Sequence, residues 1–427
     1  MCREVAAWAK EDIISREQAE SICTRYGVDY HNMSRRSLGY NVLMGFGCLF
    51  IGLALITLIG ENWDEIPRAL RMYSLITLTL AANIFGLLKY RNNRTSQSVL
   101  FFFLGSLFYG ASIILIAQIY HIGEHFPDGI FWWAIGVLPA ALLLESSLIM
   151  ILALCLGFIW FFAESSLNYY PALFPVFPAA AFLHLYRGKK SSIIFFALIA
   201  GSAVWAEYTL AWFADERKGF YPGAENVALG IGIFILFHGL SKWLDEKEDH
   251  SLSEYGTLLG LWVLRFIIIT MFIFSFKQPW RELIEAQWNL GGIVIALSVL
   301  LSALSLWLTF LSGKPLFSTL VFIAVYIAGL LSVILIKDRV YEIVFQFAEN
   351  ILLVGVGVYL IIEGIRKNAS HYFYAGVLAV LATGLLRYID LIGDYIGASI
   401  LFAALAAVLI FSARYWKKHQ AETMGAS

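Results

Sequence analysis

Long stretches with almost no charge recur along the whole chain, and "GIVIALSVLLSALSLWLTFL" (292–311) is typical of them. An apolar run of about 20 residues matches the hydrocarbon thickness of a bilayer when it is helical. Helices satisfy their own backbone hydrogen bonds in lipid, so a chain made of such runs has one economical solution: an all-α, polytopic transmembrane helix bundle. Composition agrees. Of 427 residues, 60% are hydrophobic and only 14% charged, against roughly a quarter charged in soluble globular chains. The partner this implies is the lipid bilayer itself. The formal net charge of −1 and the lack of a basic, aromatic-interleaved stretch argue against nucleic acid.

Reading the apolar runs in order places spans near 38–60, 70–89, 97–119, 129–145, 147–163, 168–186, 191–213, 225–243, 255–276, 289–311, 315–336, 345–364, 372–389 and 392–412, about fourteen in all. Only "ESS" separates the pair around Glu145. The run 168–186 holds Pro171, Pro175 and Pro178, which predicts a kinked or partly unwound segment. Of the 30 Lys and Arg residues, 20 fall in segments on the N-terminal side of the membrane, 9 on the other side and one, Arg265, within a span. The positive-inside bias then sets both termini in the cytoplasm. The domain reading is a cytoplasmic helical head at 1–37, the bundle at 38–413 and a basic cytoplasmic tail at 414–427.

The head has no apolar core ahead of a cleavage site, so it does not read as a signal peptide. "SREQ" at 15–18 predicts a capping box, with Ser15 capping a helix and Gln18 reaching back. Gly27 fits its stop. Such a piece is either a helical hairpin on the inner membrane face or a docking module for a cytoplasmic protein. Cys2, Cys23, Cys48 and Cys155 form no CxxC or zinc spacing and are expected as free thiols. Three stretches, "KYRNNRTSQSVLFFFLGS", "LYRGKKSSIIFFALIAGS" and "GIRKNASHYFYAGVLAV", share a basic turn followed by an aromatic run. This is either a repeated helical hairpin or the ordinary look of a positive loop entering an aromatic belt.

Titratable residues gather on the turns assigned to the outer side. "AQIYHIGEHFPDGIFWW" holds Gln118, His121, His125 and Asp128 without a Lys or Arg. Glu61, Asp64 and Arg68 follow i, i+3, i+7 spacing at the end of the first span, and Arg387, Asp390 and Asp394 repeat it near the last hairpin. These ten residues make a candidate binding cluster for a small solute or a lipid; the alternative is three solvated, polar turns. The i, i+4 spacing of His121 and His125 would suit a metal on a helix, but Gly123 and Pro127 favour a loop, and no metal ligand set or cofactor motif is assigned. Within the bundle Arg265 is a mid-membrane charge, a functional candidate by default, with Glu207, Glu349 or Asn350 as its sequence-level partners. Enzyme signals are absent: no G-x-S-x-G, no P-loop. "YIDLIGD" (388–394) superficially resembles the paired motifs of membrane aspartyl proteases, but Ile389 splits the first and Leu391 replaces the leading glycine of the second.

Three stretches together, "VAAWAKEDIISREQAESICTRYG", "GENWDEIPRALRMYSLI" and "IAQIYHIGEHFPDGIFWWAIGVLPAALLLESS", resemble the prokaryotic membrane proteins of the domain-of-unknown-function 2157 family. The resemblance covers about the first 165 residues, and "LLRYIDLIGDYIGASILF" is similar to the family's closing segment. It implies a short cytoplasmic head, many spans and a bacterial inner membrane, and no particular reaction. Two functions stay open: a transporter- or flippase-like carrier entered through the outer polar cluster, or a non-transporting sensor or scaffold acting through its head.

Overall fold

The computed structural model describes residues 14–25, 67–121, 125–187, 190–214, 223–366 and 370–390, with a few single residues elsewhere. The described elements are all helical, with no strand among them. In chain order they are α1 (Arg16–Arg25), α2 (Arg68–Arg91), α3 (Thr95–Tyr120), α4 (Pro127–Leu143), α5 (Ser147–Ser166), α6 (Val176–Arg187), α7 (Ser192–Phe213), α8 (Ala224–Asp245), α9 (His250–Phe274), α10 (Lys277–Glu285), α11 (Gly291–Leu311), α12 (Phe317–Leu335), α13 (Tyr341–Arg366) and α14 (Ser370–Asp390). The capping box forms as expected: Ser15 N–H donates to Gln18 Oε1 at 2.9 Å and Gln18 N–H to Ser15 Oγ at 3.2 Å.

Nine of the described helices are long and apolar enough to cross a membrane, and two shorter apolar ones, Pro127–Leu143 and Ser370–Leu385, accompany them. That accounts for eleven of the expected spans; the runs 38–60 and 392–412 lie outside the described residues. The remaining one, 168–186, is partly unwound, as its prolines predict: only the 12 residues Val176–Arg187 are helical there, and the stretch before them carries Tyr170 to Thr209 at 2.9 Å, near the far end of α7, so that the segment as a whole runs the length of that helix. Residues 167–175 are turns and irregular backbone, with Asn168 at φ 60°. Pro171 and Pro175 lie in that irregular stretch, and Pro178 falls in the first turn of α6, where its missing N–H costs no helical hydrogen bond.

The chain divides into two compact units, 1–160 with 187–189, and 161–186 with 190–427. In the first, α2 and α3 form an antiparallel hairpin held by small and polar residues. Ser98 Oγ donates to the Gly86 carbonyl at 2.9 Å, and the Thr79 and Ser112 hydroxyls meet at 3.1 Å. The α4 helix docks through Trp133, whose indole lies where a Cβ on Gly110 would sit 2.0 Å away. Its Nε1 donates to the Ser106 carbonyl at 2.9 Å. A side chain at Gly110 would therefore expel α4. The tight "ESS" turn into α5 is possible because Glu145 takes a left-handed φ of 47°.

In the second unit α8 is central and packs against α7, α9, α11 and α12. Contact with α11 is close enough that a Cβ on Gly239 would stand 2.4 Å from the Ser305 carbonyl oxygen. Small residues permit such approach, and dispersion and interhelical hydrogen bonds then hold helices together in lipid. Another close pair is α13 with α14, where a Cβ on Gly376 would reach within 2.4 Å of the Gly357 carbonyl oxygen. Large apolar side chains such as Phe310, Phe347, Ile351 and Leu378 stay exposed on the outside of these helices, as lipid-facing surfaces require.

Candidate functional site

At one end of the first unit the structure gathers five residues of the predicted cluster. Arg68 is the exposed first residue of α2. Gln118 lies in the last turn of α3, and His121 ends that helix in a left-handed conformation, φ 52°. The two helix ends are level, since Tyr120 Oη approaches Met72 Sδ at 3.5 Å. His125 and Asp128 follow at the start of α4, where the Asp128 N–H donates to the His125 carbonyl at 3.2 Å. Asp128, exposed in the first turn, suits the positive end of the α4 dipole. His121 and His125 thus lie on a turn, not on one helix face, so the i, i+4 metal geometry is not formed. Glu61, Asp64 and Asp394 lie outside the described residues, as does the side chain of Asp390. Arg387, in the last turn of α14, places its guanidinium carbon 5.5 Å from the centroid of the Phe276 ring.

The expected intramembrane pair is replaced by a different one. Arg265 is exposed on α9 and stacks over Trp262, 5.1 Å from its ring centroid, and no ion pair to a described residue is formed. Glu207 is held instead by Asn226 of α8, whose Nδ2 donates to the Glu207 backbone carbonyl at 2.7 Å and to its Oε2 at 2.8 Å.

Sequence reasoning missed what surrounds that pair. Ser298, Ser302, Ser305 and Thr309 on α11 are all buried, and their i, i+4, i+7, i+11 spacing places them on one helix face. Opposite them, Tyr326 Oη donates to the Ala228 carbonyl at 2.8 Å and meets Ser298 Oγ at 2.5 Å. Ser305 Oγ donates to the Ile235 carbonyl at 2.6 Å, and Thr309 and Thr319 pair at 3.1 Å. Lys242 Nζ donates to Ser318 Oγ at 2.7 Å and Thr319 Oγ1 at 3.2 Å. The spacing was visible in "SVLLSALSLWLT"; what it faced was not.

The two ends of this unit are ionic. At one, Lys314 binds Asp245 and reaches Glu246 at 3.1 Å, and Lys190 binds Asp249. Burial alone would lower the Lys314 ammonium, but the two carboxylates outweigh it and raise its pKa. At the other end, buried Glu342 takes Arg281 at 3.3 Å and Lys277 at 3.5 Å, and Glu285 takes Arg339 at 2.7 Å. The short helix α10 carries three of those partners and was not foreseen in the sequence. Its amphipathic pattern, "KQPWRELIE", was the available signal; Trp280 Nε1 donates to the Phe274 carbonyl at 2.6 Å and Ile284 is buried.

Between the stub α6 and the full-length α7 lies a cavity of about 640 Å³, walled by Pro175, Pro178, Ala179 and Phe182 on one side and by Leu198, Ser202, Trp205 and Ala206 on the other. It is a groove open along one side rather than an enclosed chamber. Phe182 and Leu183 at its rim are exposed.

Spans, lipid-facing surfaces and ionic ends define the class: this is a multi-pass α-helical membrane protein. More particularly, residues 6–150, about a third of the chain, match the family described as predicted membrane protein (DUF2157). No curated protein and no solved structure matches the chain.

Proposed function

We propose that the protein is a carrier that moves a lipid between the two leaflets, in the manner of a flippase. The observation that carries this reading is the broken segment at 167–187, which leaves an apolar cavity of about 640 Å³ against α7. Carriers interrupt helices where they hold their cargo, because irregular backbone is tolerated at membrane depth only where it borders protein or a cavity. Among the cavity's wall residues only Ser202 and Trp205 carry polar atoms, and the medium around this segment is acyl chain, so the fitting cargo is a lipid tail rather than a hydrophilic solute. Independently, the end of the first unit with Arg68, Gln118, His121, His125 and Asp128 offers both charge signs and hydrogen-bond donors, the chemistry of a phospholipid headgroup.

The alternative is a sensor or scaffold working through the cytoplasmic head, in which residues 1–37 recruit a protein. Deleting residues 1–34 separates the two. A carrier keeps its lipid movement in reconstituted vesicles and a scaffold loses its cellular phenotype. Loss of lipid movement on this deletion, with the bundle still folded, would move the function to the head.

A further inference from the structure

We infer that Glu207 and Asn226 form a cation site, taking a proton or a sodium ion, at one end of a polar stripe through the second unit. The proposal rests on the carrier reading only for its purpose, to drive cargo movement; the site itself stands on the geometry. Glu207 lies six residues, about 9 Å, inside the end of α7 and is largely buried against α8. Its Oε2 has one donor, Asn226 Nδ2 at 2.8 Å. Its Oε1 receives no hydrogen bond and lies 3.1 Å from where a Cβ on Gly230 would be. Asn226 is 5% exposed, and its Oδ1 is buried without a partner. That atom belongs to the same amide that grips Glu207. Neighbouring Glu225, 2% exposed, gives Oε1 to the Leu290 N–H at 2.5 Å and keeps Oε2 buried and unpartnered.

All three unmet side-chain oxygens on Glu207, Asn226 and Glu225 are acceptors. No Lys, Arg or His among the described residues pairs with either carboxylate. Of the packed elements, α12 contributes Tyr326, whose phenol is engaged by Ala228 and Ser298, and Trp288 contributes an unpartnered indole N–H. Glu225 is accounted for by the N-terminus of α11, which it caps. Glu207 is not. A carboxylate at membrane depth without a countercharge either takes a proton or binds a cation, and an acceptor-only oxygen set suits both.

What distinguishes this from a structural Glu–Asn pair is what continues from it. Tyr326 and Ser298 lie one turn further along α8, then come Ser302, whose buried Oγ has no partner, His238, whose Nε2 also has none, and the Ser305, Thr309, Thr319 and Lys242 group near the opposite end. The run from Asn226 to Lys242 covers 17 residues of α8, a rise of about 24 Å. Hydroxyls about one helical turn apart would give a cation or a proton successive partners across the membrane.

The test is infrared difference spectroscopy on the full-length protein in phospholipid nanodiscs, titrated with acid in potassium buffer and again in sodium buffer. A protonated carboxyl band should appear on acidification in the wild type and be missing in Glu207→Gln. If sodium is the ion, adding it at fixed pH suppresses that band; if only protons bind, the two buffers agree. Glu349→Gln, at the other intramembrane glutamate candidate, should leave the Glu207 band in place. Should Glu207→Gln fail to fold, Asn226→Leu serves: it should shift the band by removing the one side-chain donor. A titrating carboxyl signal unchanged in Glu207→Gln, or unchanged in Asn226→Leu where that variant is used, overturns the site. The readout does not depend on lipid movement. An intact Glu207 band without lipid movement counts against the carrier and not against the site.

Discussion

A missing Cβ does the most specific work at the residue scale. Gly239 lets α8 lie against the Ser305 backbone, and a Cβ there would sit 2.4 Å from a carbonyl oxygen that cannot rotate away. Gly239→Ala should therefore lower the melting temperature in detergent, at a cost of about 1–3 kcal/mol typical of overpacking. Gly355→Ala on α13 meets nothing within 4 Å and should be neutral, or stabilising by up to about 1 kcal/mol through helix propensity. The pair makes a controlled comparison, because both substitutions are the same chemistry in a spanning helix. Arg265 offers a second test. It stacks on Trp262 and pairs with no described carboxylate, so Arg265→Ala should cost under about 1 kcal/mol. Combined with Glu207→Ala its effect should be additive within about 0.5 kcal/mol. A compensating double mutant would restore the ion pair that the structure replaces.

Among the elements, α10 and α6 show where sequence reading stops. Span positions came from hydropathy alone, because a 20-residue apolar helix is decided by its solvent, not by its neighbours. The proline-bearing 168–186 run had the right warning signs, and the break is there, but the length of the surviving helix depended on how Pro171 and Pro175 were placed. The α10 helix is too short and too polar to register as a span, and its stability comes largely from partners distant in sequence, Glu342 and Phe345, alongside the nearby Phe274 carbonyl. The Glu207–Asn226 pair was hidden for the same reason, since hydropathy says which residues are in the membrane and not which face one another. Removing the carboxylate in Glu342→Ala leaves Lys277 and Arg281 without their buried anchor. Amide exchange in 277–285 should then accelerate while the middle of α13 stays protected; no change in 277–285 would mean that Trp280 and Ile284 alone hold the helix. In the head, Ser15→Ala removes the capping bond that Ser15 Oγ accepts from the Gln18 N–H and should cost about 1 kcal/mol, read as faster exchange in α1.

For the whole molecule, the ionic contacts of the second unit sort its Lys and Arg into the two groups that alternating spans predict. Lys190, Lys242 and Lys314, all assigned to the cytoplasmic side, cluster at one end; Lys277, Arg281 and Arg339, all assigned to the other, cluster at the opposite end. Reporter fusions after Arg94, Lys190 and Arg366 should read cytoplasmic, and one after Gly223 external. A cytoplasmic reading at 223 would invert the second unit and the direction in which the Glu207 site faces. Whether the broken segment holds a moving lipid is read by following a headgroup-labelled fluorescent phospholipid between leaflets of vesicles that contain the purified protein. Wild type should move the lipid faster than protein-free vesicles, and Ala179→Trp, which fills the cavity from α6, should remove most of that excess. Lipid movement no faster than in protein-free vesicles, or an excess that Ala179→Trp leaves intact, would contradict the carrier reading.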